Sequence, residues 1–131
     1  MVLEYIDSTP LAEADLSDAA TLCRVIDLIK RAHVRILEHL RGPALSFSVF
    51  HILRDYAAML REQGSAHQAR LGGLLQRAAA LERAVGAVDL VLGHNDLLPA
   101  NILRAGQKYW LIDREYDGFN SPLFDLGDWP A

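Results

Sequence analysis

Residues 94–101 read His-Asn-Asp-Leu-Leu-Pro-Ala-Asn, and the apolar pair Leu111-Ile112 then ends at a second acid, Asp113. This order constrains the fold more than any other stretch. The apolar run Leu90-Val91-Leu92 before it predicts a short buried strand that feeds a polar loop. Behind the loop, Asn101 to Arg104 and Lys108 to Ile112 flank Ala105-Gly106-Gln107, which predicts a β-hairpin. His94, Asp96, Asn101 and Asp113 are therefore expected at the ends of short strands rather than scattered over surface loops.

The residue types suit phosphoryl transfer, a reaction driven by positioning and charge neutralisation. One carboxylate, Asp96, is placed to take the proton of an attacking hydroxyl. The Asn101 amide and the Asp113 carboxylate are a pair that holds magnesium against nucleotide phosphates. Four residues separate Asp96 from Asn101, the spacing of a kinase catalytic loop. Asp and Asn also favour turns, so either residue alone would read as loop capping. Together with His94, Asp113 and Asp125 the catalytic reading prevails.

With 131 residues the chain is one domain at most, and 51% hydrophobic residues suffice for a core. A net charge of -4 speaks against non-specific nucleic-acid binding. Acidic and basic residues alternate, so no polybasic membrane patch is expected. The start lacks a basic signal-peptide region, and no apolar run reaches membrane-helix length. Cys23 is the only cysteine, which excludes an internal disulfide. Leu22, Val25 and Ile26 around it predict a buried, inert thiol, and a reducing cytoplasm fits.

Val2 to Ile6 reads as a strand or extended connector, broken by Asp7-Ser8-Thr9-Pro10. Ser17 is the expected cap of a first helix that carries Ala20, Leu22, Val25, Ile26, Ile29, Ala32, His33, Ile36, Leu37 and Leu40 at helical spacing. A second helix is expected from about Phe47 to Glu62, with Phe50, Leu53, Tyr56, Ala57 and Leu60 on one side. A third is expected from about Ala66 to Val85, with Leu71, Leu74, Leu75, Ala78 and Leu81 inward and Gly86 at its end. A polar loop with Gly118, Asn120 and Pro122 follows Asp113, and Leu123 to Trp129 opens a last helix. No G-x-G-x-x-G occurs, and the only lysines, Lys30 and Lys108, follow no glycine-rich hairpin. A phosphate-covering loop and its lysine are thus not recognisable here.

The segments His94-Asn95-Asp96, Asn101-Ile102-Leu103, Leu111 to Tyr116 and Pro122 to Asp128 resemble the choline/ethanolamine kinase branch of the aminoglycoside-phosphotransferase-like kinases. The likeness is close from Leu90 to Asp128, weaker at Met1 to Ile6, and only a matter of pattern in the helical middle. It implies an α/β (α+β) fold: a protein-kinase-like C-terminal lobe, mostly helical, with a small β-hairpin carrying the catalytic loop. Residues 1–10 would form a hinge-like segment, 11–88 the helical part, and 89–131 the catalytic loop, hairpin and metal-binding segment. The lobe looks cut at both ends, with an N-terminal lobe missing. The cofactors implied are ATP and Mg2+. Asp96 matches the catalytic base, Asn101 and Asp113 the magnesium ligands, and Glu115 an acid near a second metal. The backbone of Glu4 and Ile6 matches the hinge that meets adenine. Asp125 matches an acid that braces the loop through backbone hydrogen bonds, and His94 supports it from beneath. Arg114 departs from the aromatic or apolar residue usual at its position.

Choline or ethanolamine is the leading acceptor, with Tyr116 and then Trp129 as aromatic walls for a cationic head. An aminoglycoside, homoserine or another small alcohol is the alternative within the family. Outside it stand an inactive fragment or interaction module and a metal-dependent phosphohydrolase, the last disfavoured by the Asp-to-Asn spacing. The partner expected is thus a small molecule, with neither nucleic acid nor membrane. Surfaces exposed by the cut would favour self-association. His33, His39, His51 and His67 read as ordinary core or surface residues, and Asp117 as a solvated loop charge.

Overall fold

The computed structural model describes residues 5–127. The expectations for Glu4 and Trp129 lie outside those residues. Strand β1 (Thr9–Pro10) and a 3-10 turn (Glu13–Ser17) lead into helix α1 (Ala19–His39). Asp18 caps α1, its carboxylate accepting the Thr21 N–H at 2.8 Å and so satisfying a donor that the first helical turn leaves open. The expected cap, Ser17, instead ends the 3-10 turn. An anionic side chain suits the positive helix end better than a hydroxyl does. The Thr21 hydrogen bonds hold the Asp18 carboxyl below its ordinary value.

Thr21, Val25, Ile29 and His33 are the buried residues of α1. Steps of four keep them on one face. Cys23 is exposed, contrary to the sequence reading. Two residues from both Thr21 and Val25, it lies about 200° round the helix from each. Leu37, also expected inward, is exposed as well.

Helices α2 (Val49–Glu62) and α3 (Gln68–Val85) pack on each other, with Arg54 of one bonded to Glu82 of the other at 2.7 Å. Ala57 and Leu71 are their buried residues. Leu53, Tyr56, Leu74 and Leu81, expected inward, are exposed. Helical periodicity marks an apolar stripe but not whether a partner covers its full width.

Two small sheets hold the remainder. Strands β4 (Ile102–Ala105) and β5 (Lys108–Leu111) form the expected hairpin, and β1 pairs with β4 on its other side. In the second sheet β6 (Gly118–Asn120) is central, parallel to β2 (Leu45–Ser46) and antiparallel to β3 (Val91–Gly93). β2 and β6 were not legible, because two or three residues are too few to show alternation. Leu90, read as part of the buried strand, is exposed and precedes β3. Gly118 is required where β2 and β6 meet: a Cβ there would stand 2.9 Å from the Leu45 carbonyl oxygen.

The core joins these parts. Leu11, Val25, Ile29, Leu97 and Ile102 are buried together, with Leu16, Tyr109 and Leu111 packed against them. Leu97 belongs to the loop between β3 and β4, so core packing itself anchors that loop. A short helix α4 (Phe124–Gly127) sits beside it, and the Phe47 and Phe124 rings pack 5.4 Å apart. No helix among the described residues is long and apolar enough to cross a membrane.

Candidate active site

β3 ends at Gly93 and the chain turns into His94-Asn95-Asp96. Asp125 of α4 holds this turn. Its Oδ2 accepts the His94 N–H at 3.0 Å and its Oδ1 accepts the Asn95 N–H at 2.8 Å. The same Oδ2 meets His33 Nε2 at 2.7 Å. A Cβ on residue 93 would lie 3.3 Å from Oδ2, so glycine keeps the carboxylate's approach open. Burial pushes the Asp125 carboxyl up, but the His33 bond and the two backbone N–H groups together outweigh it and leave the carboxyl below its ordinary value.

Asp125 thus has three partners, two of them backbone N–H groups of the turn. His33 is the partner that the sequence reading passed over. One signal was available: it continues the buried row of Thr21, Val25 and Ile29, where a polar ring needs a partner. Its partner lies far along the chain and could not be read.

His94 is buried, and its Nε2 meets the Ile112 carbonyl oxygen at 2.7 Å. It therefore ties the loop to the end of β5. Asn95 has a φ of 64°. Asn tolerates this left-handed conformation better than most residues. Its side-chain Nδ2 donates to the Tyr116 carbonyl at 2.9 Å and to that of Gly118 at 3.2 Å, while Oδ1 accepts from Asn120 at 2.9 Å. Asn95 thereby joins the loop to β6 and to the segment after Asp113. Nothing in the sequence singled it out.

Asn101 donates its Nδ2 to the Asp96 carbonyl at 2.9 Å, which leaves its amide oxygen as the group available to a cation. The backbone N–H of Ile112 donates to the Asn101 carbonyl at 3.0 Å, the last rung of the hairpin. Asp113 is the next residue and has a φ of 59°. The hairpin therefore returns Asp113 to the end where Asn101 sits. Among the described residues no cationic side chain pairs with Asp96, Asp113 or Glu115.

Glu115 and Tyr116 are exposed in the turn that follows. Arg114 Nη2 and Asp117 Oδ2 approach to 2.6 Å across that turn. Asp117 is half-buried, a correction to its reading as a solvated charge. Burial pushes its carboxyl up against the opposing pull of Arg114. Ile6 is half-buried just ahead of β1, and its carbonyl accepts the Ser8 hydroxyl at 3.0 Å.

The donors at the hairpin end are all oxygens, the chemistry of a hard cation. No group of three or more His, Cys, Asp and Glu converges among the described residues. Magnesium needs only one or two protein ligands when phosphates and water complete its shell, so Asn101 and Asp113 fit it as a nucleotide-bound ion. They do not fit an all-protein metal cage.

Protein LicA of Haemophilus influenzae (strain ATCC 51907 / DSM 11121 / KW20 / Rd) is 31% identical over 122 residues, covering 92% of this chain and 44% of LicA. A second Haemophilus influenzae Protein LicA is 30% identical, with 92% and 35% covered. The crystal structure of a choline/ethanolamine kinase family protein from Mesorhizobium loti superposes with a TM-score of 0.70 at 24% identity, covering 98% of this chain and 44% of the other. Choline kinase from Cryptosporidium parvum gives 0.67 at 20% identity, with 91% and 40% covered. At such identities the two structures show the kinase-like fold alone. The chain spans less than half the length of each of these relatives. A sequence model of choline/ethanolamine kinases matches residues 1–129, and the chain belongs to that family.

Proposed function

We propose that this chain is the catalytic-loop portion of an ATP- and magnesium-dependent phosphotransferase acting on the hydroxyl of a small molecule, with choline or ethanolamine as the acceptor. One observation carries the reading. Asp96 stands in a loop pinned by Asp125, His94 and Leu97, with no cationic partner among the described residues, at the hairpin end that also holds Asn101 and Asp113. Membership of the family supports it.

Asp96 orients the acceptor hydroxyl and takes its proton. Asn101 and Asp113 hold magnesium, with Glu115 near a second ion; when bound, the metal neutralises charge on the nucleotide phosphates. Asn101 also fixes the base, since its amide donates to the Asp96 carbonyl. Asp125 and His33 keep the loop from relaxing. The backbone of Glu4 and Ile6 is the proposed contact for adenine. Tyr116 and, secondarily, Trp129 would face the cationic head, because a quaternary ammonium offers no hydrogen-bond donors and is best held by aromatic faces. An exposed, unpaired Cys23 is compatible with a reducing cytoplasm.

A glycine-rich loop and phosphate-gripping lysine are not recognisable in these 131 residues, so the chain by itself should turn over little. The test is a substrate panel on a version extended at both ends. Choline or ethanolamine should be phosphorylated in preference to kanamycin, and Tyr116→Ala should raise KM for choline more than for ATP. Turnover of kanamycin with none of choline or ethanolamine would overturn the acceptor assignment.

A further inference from the structure

Away from the Asn101–Asp113 end, at the turn end of the hairpin, a groove of about 780 Å³ runs between α1 and β5. Arg24, Lys30 and Arg31 line it from the helix and Lys108 from the strand, with Asp27 as the single acid. Both lysines of a chain of net charge -4 thus face one groove. Trp110 adds a partly exposed aromatic surface. Arg24 bonds to Gln107 and bridges the two walls at the hairpin tip.

β5, which lines the groove, is an edge strand among the described residues. The strand order is β1-β4-β5, which leaves β5 with one neighbour among the described residues. Ile112 N–H bonds to the Asn101 carbonyl, and the Ile102 carbonyl instead accepts Leu11 N–H on the β1 side. By antiparallel alternation, Leu103 and Trp110 exchange hydrogen bonds, whereas Tyr109 and Leu111 turn their N–H and C=O groups to the free side. A lone lysine on an edge strand commonly guards against unwanted pairing. Arg24, Lys30 and Arg31 belong to another element and are no part of such a guard.

We propose that this groove docks an extended acidic segment of a partner protein, which adds as a strand to β5 while its carboxylates meet Lys30, Arg31 and Lys108. Main-chain hydrogen bonds along an edge supply affinity in this mode, and complementary charge supplies selectivity. The proposal is independent of the phosphotransferase reading.

The test is fluorescence anisotropy of the 131-residue chain with a labelled peptide of alternating Glu and Val. Controls are its Lys-Val counterpart and a version N-methylated at alternate residues. The acidic peptide should bind in a salt-sensitive way, and both controls should bind at least roughly tenfold more weakly. The exposed pair of changes Arg31→Glu and Lys108→Glu should weaken binding by a similar factor with an unchanged circular dichroism spectrum. Peptide binding should slow hydrogen exchange at the Tyr109 and Leu111 amides. Absence of binding would overturn the proposal. So would equal binding of the N-methylated peptide with full competition by inorganic pyrophosphate, which would mark a simple anion patch.

Discussion

Removal of the Asp125 carboxylate is the sharpest perturbation of the His94–Asp96 loop that leaves Asp96, Asn101 and Asp113 untouched. Asp125 accepts from His94 N–H, Asn95 N–H and His33 Nε2 at 3.0, 2.8 and 2.7 Å. Asp125→Ala strands two backbone donors in a buried place, at about 1–3 kcal/mol each. His33 Nε2 loses its partner as well, at a further ~1–3 kcal/mol. These terms overlap, and about 4 kcal/mol is the combined expectation against a total stability of roughly 5–15 kcal/mol. At a urea slope near 2 kcal/mol/M, the midpoint should fall by about 2 M. Asp125→Asn keeps one acceptor oxygen and turns an NH2 toward the other site, so about half that loss is expected, with one loop amide left without its acceptor. Urea unfolding followed by circular dichroism, with hydrogen exchange at the His94 and Asn95 amides, measures both effects. A loss below about 1 kcal/mol for Asp125→Ala, with unchanged exchange at both amides, would refute the claim that this carboxylate holds the loop.

Two further outcomes are expected, one from Asp125 and one from Gly118. The Asp125 carboxyl is held below its ordinary value in the folded chain. Its contribution is therefore present above the unfolded value near ~3.9 and is lost as pH falls through the lower folded value, so the urea midpoint should drop more steeply below about pH 4 in the parent chain than in Asp125→Asn. Equal slopes would count against it. Gly118→Ala places a methyl group 2.9 Å from the Leu45 carbonyl oxygen and should cost about 1–3 kcal/mol through separation of β2 from β6, read as faster exchange at Phe47 N–H, which bonds to the Phe119 carbonyl.

The legible parts of the chain share a physical basis. Three helices, the hairpin and the end of α3 at Gly86 lay close to where local periodicity and turn residues placed them, since helices and hairpins are built from near neighbours. The expectations for Asp125 and His94 came instead with the family resemblance. His33 and Asn95 were not assigned, because each acts through partners that only the fold brings close: Asp125 for one, Tyr116, Gly118 and Asn120 for the other. Asp117 was misread for the same reason, its Arg114 contact being a product of turn geometry. Cys23, Leu53, Tyr56, Leu74 and Leu81 failed differently. Apolar spacing reports which side of a helix is oily, not which part of that side finds a neighbour.

Asp96 is proposed as the base of a phosphoryl transfer to an amino alcohol. The assignment is tested most directly by choline-dependent ADP release from a version extended at both ends, measured for the parent and for Asp96→Ala alongside nucleotide affinity. In Asp96→Ala, kcat should fall by roughly a hundredfold or more while ATP affinity stays nearly constant, because the carboxylate acts on the acceptor and not on the nucleotide. A near-normal kcat in Asp96→Ala would contradict the assignment.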